Sequence, residues 1–166
     1  MKKDHLLAEI AELKAEKTLF IVSCTLEKIW DEANNILQYV EARKAYKGEE
    51  FIEFLNFYEV HDFNEKGIRW ILISGKYGFI EAEHPISWYD INMSNIEHFP
   101  ISKKSLNNQV NQFKRWRVKN GNVIEVRLVD FDNLICVNCD NFYIKRIKES
   151  FGNKNYIIIE DIRNID

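Results

Sequence analysis

Ser74, Lys76, Tyr77, His84 and Asp90 crowd the end of one apolar run in residues 68–90, IRWILISGKYGFIEAEHPISWYD. The run breaks into Ser74-Gly75-Lys76-Tyr77-Gly78. Two glycines let a backbone approach a ligand closely, and Lys76 offers a point charge to a carboxylate or phosphate. The spacing does not fit a phosphate-binding P-loop, and the plain alternative is a turn after a strand. Downstream, His84 with Tyr89-Asp90 supplies an imidazole and a carboxylate for acid–base work; the alternative is a solvated loop histidine. A second apolar run ends in Ser23-Cys24, with Lys28 four residues on. A thiol there is a nucleophile if Lys28 or a helix N-terminus lowers its pKa, and otherwise a small residue closing a strand.

Two further groupings have their own chemistry. Cys136-x-x-Cys139 has redox spacing, and with Cys24 it makes three cysteines. A zinc site needs a fourth ligand and none lies nearby in sequence, so core packing by small residues is the default and no metal or cofactor is expected. Lys114-Arg115-Trp116-Arg117 interleaves cations with an indole, a pattern that contacts phosphate and stacks a base in RNA or DNA. Its bland counterpart is a solvated basic helix end.

The elements that must position these residues follow from periodicity. Residues 18–24 and 68–74 are continuous apolar runs of strand length, as in the middle of a parallel sheet. The crossover between them is long enough for helices, expected in part of 36–46 and over 49–58, with Phe51, Ile52, Leu55 and Tyr58 on one side. Residues 105–118 read as a helix capped by Ser105, before a turn at Asn120-Gly121. Strands are expected at 123–129, 134–137 and 156–160, and a helix at 142–151. The architecture is a single three-layer α/β domain, 18–166, with a mainly parallel central sheet and an antiparallel edge. Ahead of it, residues 1–17 form an N-terminal amphipathic helix through Leu6, Leu7, Ile10 and Leu13, laid on the core or used for homo-oligomerisation.

The 166 residues carry a formal charge of −3, so no whole-protein field draws the chain to nucleic acid or anionic lipid, and any such role needs a local basic patch. No apolar run reaches membrane-spanning length, and acids interrupt MKKDHLLAEIAELKAEK, unlike a signal peptide. A cytoplasmic, reduced protein with no membrane partner is the expectation.

Taken together, Ser23-Cys24-Thr25-Leu26-Glu27-Lys28, Ala42-Arg43-Lys44-Ala45-Tyr46, Ser74-Gly75-Lys76-Tyr77-Gly78-Phe79 and Tyr89-Asp90-Ile91 resemble the motifs of a family of small uncharacterised bacterial and phage domains. The pattern is also similar to the domain of archaeosine synthase that modifies a deazaguanine base in tRNA. That resemblance implies a uracil-DNA-glycosylase-like α/β layer fold. Serine stands before Cys24 where the synthase has proline, and Ile29-Trp30 stands where it has Pro-Tyr, so its lysine transfer is not implied. What is implied is a crevice for a nucleobase or nucleotide at two strand ends.

On this reading Lys28, Arg43 and Lys76 bind anionic parts of the ligand, and Tyr46 or Tyr77 stacks on or hydrogen-bonds a base. Asp90 is the acid–base group or reads the base edge, and Cys24 is a nucleophile or a packed strand end. Ser23, Ser74, Gly78, His84 and Tyr89 complete the binding surface. The chain is then a nucleotide- or nucleobase-handling domain, with base modification or glycosidic-bond chemistry as its reaction class. The reading from another class is a non-catalytic module that binds a nucleotide, nucleic acid or protein partner.

Overall fold

A computed structural model describes residues 2–25, 28, 30, 38–118 and 121–166. Strand β1 (Thr18–Ser23) is buried at every position. It is flanked in parallel by β3 (Arg69–Ser74) and β8 (Asn133–Val137), and β9 (Asn155–Ile159) extends the parallel run beyond β8. The short β4 (Gly78–Ile80) turns back antiparallel along β3, giving the order β4-β3-β1-β8-β9. Two small ribbons stand apart, β2 (Val40–Glu41) with β5 (Pro85–Ile86), and β6 (Phe113–Arg117) with β7 (Val123–Arg127).

Side chains alternate across a strand, and β1 makes the layers visible. Phe20 and Val22 join one apolar cluster with Leu6 and Ile10 of α1 (Lys3–Ala11) and Phe51 and Phe54 of α3 (Glu49–Val60). Leu19 and Ile21 join another with Leu106 of α4 (Lys103–Gln109) and Ile147 and Phe151 of α5 (Asn141–Phe151). Helices therefore cover both faces of the sheet in three layers. Crossover handedness requires this: β1 to β3 and β8 to β9 move in opposite directions along the sheet, so right-handed connections place α3 and α5 on opposite faces. The four-residue α2 (Ala42–Ala45) follows β2. The helix expected in part of 36–46 is thus reduced to these residues; Val40–Glu41 are strand, and 36–37 lie outside the described residues. Among the described residues no helix is long and apolar enough to cross a membrane.

Three expectations change. The first helix stops at Ala11 rather than at residue 17, and Leu6 and Ile10 are spent on the chain's own core, so the stripe read as a self-association face is covered from within. On α3 the buried face is Phe51, Phe54, Phe57 and Tyr58, while Ile52 is exposed. FIEFLNFY is apolar nearly all round, and the larger aromatic rings win the interior, where each buried ring contributes roughly 1.5–3 kcal/mol. The helix expected over 105–118 divides. Ser102, not Ser105, accepts the capping N–H, from Ser105 at 3.1 Å, and α4 ends at Gln109. Residues Phe113–Arg117 instead pair with Val123–Arg127, whose β-branched residues and preceding Gly121 (φ +83°) supply a hairpin partner. Local helical periodicity loses here to a cross-strand pairing that the local pattern does not reveal.

Candidate site at the strand ends

The order β3-β1-β8 makes the gap between β1 and β8 the point where the sheet's connections diverge. Loops at the carboxyl ends of strands open a crevice at such a point. A cavity of about 100 Å³ lies there, lined by Cys24 at the end of β1, Asp140 and Tyr143 after β8, and Lys28, Tyr89 and Asn92 from the intervening loops. Ser23, Thr25 and Ile91 complete its wall.

Each side chain is held by a short-range cause. The Cys24 N–H donates to the Ile73 carbonyl at 3.1 Å, carrying the β1–β3 pairing one residue further. Asp140 caps α5, accepting the Tyr143 N–H at 2.9 Å. That cap starts the helix so that Tyr143 turns back over the strand end. Its hydroxyl accepts the Met93 N–H at 3.3 Å, and the residue lines the crevice together with Cys24. Lys28 bridges to Tyr46 and is only 4% exposed, with its ammonium 4.6 Å from the Tyr89 ring centroid. Such a contact draws on the negative face of the ring. Lys76 is exposed and lies 6.0 Å from the same ring centroid and 5.0 Å from that of Tyr77.

Tyr89 is the hub. Its hydroxyl meets Tyr46 Oη at 2.5 Å and Ser74 Oγ at 2.7 Å, all of them buried. Ser74 also accepts the N–H groups of Lys76 and Tyr77, closing the turn after β3. Burial holds the Tyr46, Tyr89 and Tyr143 phenols well above the ordinary tyrosine range, and charge on the nearby Cys24 sulfur pushes the same way. They remain protonated at neutral pH. Tyr77 moves oppositely. Burial raises it, but hydrogen bonds from Ser87 and the charge of Lys76 outweigh that and leave it below an ordinary phenol.

The sequence-selected residues divide by place. Ser23, Cys24, Lys28 and Tyr89 line the crevice, Tyr46 and Ser74 reach it through Tyr89, and Lys76 and Tyr77 flank it. His84 is exposed, with its ring 6.1 Å from Tyr77. Asp90 is exposed on the side away from its inward neighbour Tyr89 and does not line the crevice. The glycines face protein rather than open space. A Cβ on Gly75 would sit 2.5 Å from the Ile91 carbonyl, and one on Gly78 would strike the Gln109 amide, which already bonds Tyr77 O and Phe79 N.

Arg43 lies elsewhere, 3.2 Å from Glu41, on an open groove of about 660 Å³ that also takes Arg115, Trp116 and Arg117. Those three stand on a strand, not a helix end. Trp116 donates its indole N–H to Trp70 O at 3.0 Å and packs edge-on against Phe131. Lys114 sits 3.9 Å from Glu81. Cys136 and Cys139 are buried, and desolvation pushes the Cys136 thiol up to about 12. The Cys139 thiol donates to Val137 O at 3.4 Å, which makes it a packed core residue. Among the described residues no three His, Cys, Asp or Glu side chains gather as metal ligands.

Asn92, Asp140 and Tyr143 were not found from sequence. The signal for the last two was present: an aspartate directly after a buried strand and before a helix reads as an N-cap. Its bearing on the site needs the strand order, which places β8 beside β1. Comparison of the chain with protein-family models, curated proteins and solved structures gives no match.

Proposed function

We propose that the chain handles a nucleotide or nucleobase, with the polar edge of the ligand entering the crevice between β1 and β8. The observation that carries this reading is Lys28. It is a nearly buried ammonium lining a polar cavity, beside a thiol, a carboxylate and an amide. A buried cation is rare in a fold unless something compensates it, and an incoming carbonyl or anionic oxygen adds to whatever compensation the free chain provides. The cavity of about 100 Å³ is below the roughly 300 Å³ at which whole small-molecule ligands are enclosed, so it takes an edge of the ligand and leaves the remainder outside. The layered α/β sheet with its crevice at the strand ends supports a uracil-DNA-glycosylase-like reading of the fold. For chemistry, Cys24 is the available nucleophile. Asp140, rather than the outward Asp90, is the carboxylate in reach. The non-catalytic reading draws support from Tyr89 and Tyr143, which line the crevice with hydroxyls already bonded to Tyr46, Ser74 and the Met93 N–H.

The test is a thermal-shift series with nucleobases, nucleosides and nucleoside mono- and triphosphates, on the native chain and on Lys28→Met and Cys24→Ser. Ligand that binds only the folded state raises the melting temperature by mass action. A shift abolished in Lys28→Met but kept in Cys24→Ser supports binding through the ammonium. A shift equally large in Lys28→Met, or none with any compound, sinks the reading.

A further inference from the structure

The open groove of about 660 Å³ has the size of a ligand site and is separate from the crevice in every lining residue. Its aromatic surface comes from Tyr58, Trp70 and Trp116. The Trp116 indole N–H is already given to Trp70 O, so this ring offers its face rather than a donor. Around the rings stand five carboxylates and four guanidiniums. The signs are sorted by element on two walls: the last turn of α3 and the turn that follows supply Glu59, Asp62 and Glu65, whereas β3 and β6 supply Arg69, Arg115 and Arg117; a third wall mixes Arg43 with Glu81 and Glu83.

That sorting costs stability. The carboxyl end of a helix is its negative pole, which cations stabilise, yet the last turn of α3 carries no basic residue. Acids there concentrate negative potential beside aromatic faces, a combination that attracts ammonium and guanidinium groups. Arg115 of β6 already meets Glu125 across the ribbon at 2.7 Å, whereas Arg117 brings a second guanidinium to the groove, a group that grips a carboxylate with two parallel bonds. A nucleic-acid strand presents one sign of charge and would meet all five carboxylates, so the groove disfavours it.

We propose that this groove binds an extended peptide segment of a partner protein, carrying a cationic and an anionic side chain on either side of an aromatic or aliphatic one. The cation lies against Glu59 and Asp62, the anion against Arg117, and the apolar residue on the Trp70 and Trp116 faces. This inference stands apart from the crevice and survives if the nucleotide reading fails.

The experiment is fluorescence anisotropy on the full chain with a dye-labelled hexapeptide alternating lysine, phenylalanine and glutamate. Hexapeptides of lysine with phenylalanine, of glutamate with phenylalanine, and an oligo-dT decamer serve as comparisons. The mixed peptide is expected to bind at least about tenfold more tightly than any of them, a gap of roughly 1.4 kcal/mol. Glu59→Lys and Arg117→Glu each weaken the mixed peptide about fivefold or more, while Glu59→Lys improves the glutamate peptide. Both positions are exposed, and a cooperative melting transition at no lower temperature than the native chain's shows that the variants fold. Equal binding of the three peptides, no binding of the mixed one, or tighter binding of oligo-dT overturns the proposal, the last in favour of a nucleic-acid partner.

Discussion

The crevice and the groove are built by different means. The crevice follows from chain topology: two parallel strands end side by side, and a helix cap and a tyrosine hub close the space to about 100 Å³. Its hydroxyls bond to one another. The groove is assembled from the surfaces of α3, β3 and an accessory hairpin, stays open at about 660 Å³, and keeps charges such as Glu59, Arg115 and Arg117 at the solvent. Removing a side chain from the first therefore disturbs the fold and the site together, whereas charges in the second can be exchanged with little effect on stability.

The sharpest way to break that contrast is Tyr89→Ala. It removes a 4% exposed ring that touches Tyr46, Tyr77 and Lys28, and is expected to cost about 3–5 kcal/mol by urea unfolding. Tyr89→Phe keeps the ring and deletes the hydroxyl between Tyr46 and Ser74, for a loss of about 1–3 kcal/mol. A loss below about half a kilocalorie in Tyr89→Phe would mean that the hub is not a structural unit. Gly75→Ala drives a Cβ into the Ile91 carbonyl and the Met93 N–H, both backbone atoms that cannot swing aside, and is expected to cost about 1–3 kcal/mol. If it were neutral, the turn after β3 would not be pressed against residues 91–93.

A smaller, pH-graded effect concerns the core below the crevice. The Cys136 thiol is raised by desolvation from 9.0 to about 12 in the folded chain. The unfolded chain thus releases this proton first, and the stability that depends on it is complete below the unfolded value. It is lost progressively as pH rises from about 9 towards 12, by roughly 1.4 kcal/mol per pH unit. Cys136→Ala should reduce the alkaline slope of unfolding free energy by about that amount, and an unchanged slope would show that the thiol is not held neutral by burial.

Much of the scaffold was legible because its signals are local and redundant. The runs at β1, β3 and β8 are continuous, apolar and bounded by polar turns, and α5 has a clean helical period, so each element follows from its own residues. The motifs at Ser23–Lys28 and Ser74–Gly78 lie at the same end of the sheet, since both follow strands that run parallel. Three things were not legible. Strand order decides which loops meet, so Asp140 and Tyr143 belong to the site only once β8 is known to adjoin β1. Glycine chemistry was misread, because Gly75 and Gly78 admit the chain's own Ile91 and Gln109 rather than a ligand. The hairpin was hidden because Phe113–Arg117 also fits a helical stripe, and only pairing with Val123–Arg127 decides against it.

The smallest expected effect tests the other half of the contrast. Glu59 and Arg117 are exposed on the groove, and burial sets neither in place. Exchanging exposed charges usually moves stability by less than about 0.5 kcal/mol, because solvent screens them and long side chains lose entropy when fixed. Glu59→Lys also removes an acid from the negative end of α3 and adds a cation there, a change of about 0.3–1 kcal/mol in the stabilising direction. Arg117→Glu has no such helix to answer to and should leave the urea midpoint unmoved. A Glu59→Lys chain that is slightly more stable yet binds the mixed-charge peptide less well would show that the acidic end of α3 is kept at a cost to the fold. A Glu59→Lys chain that is less stable would show that the carboxylate serves the fold itself, and the groove would then resemble the crevice in what its residues do.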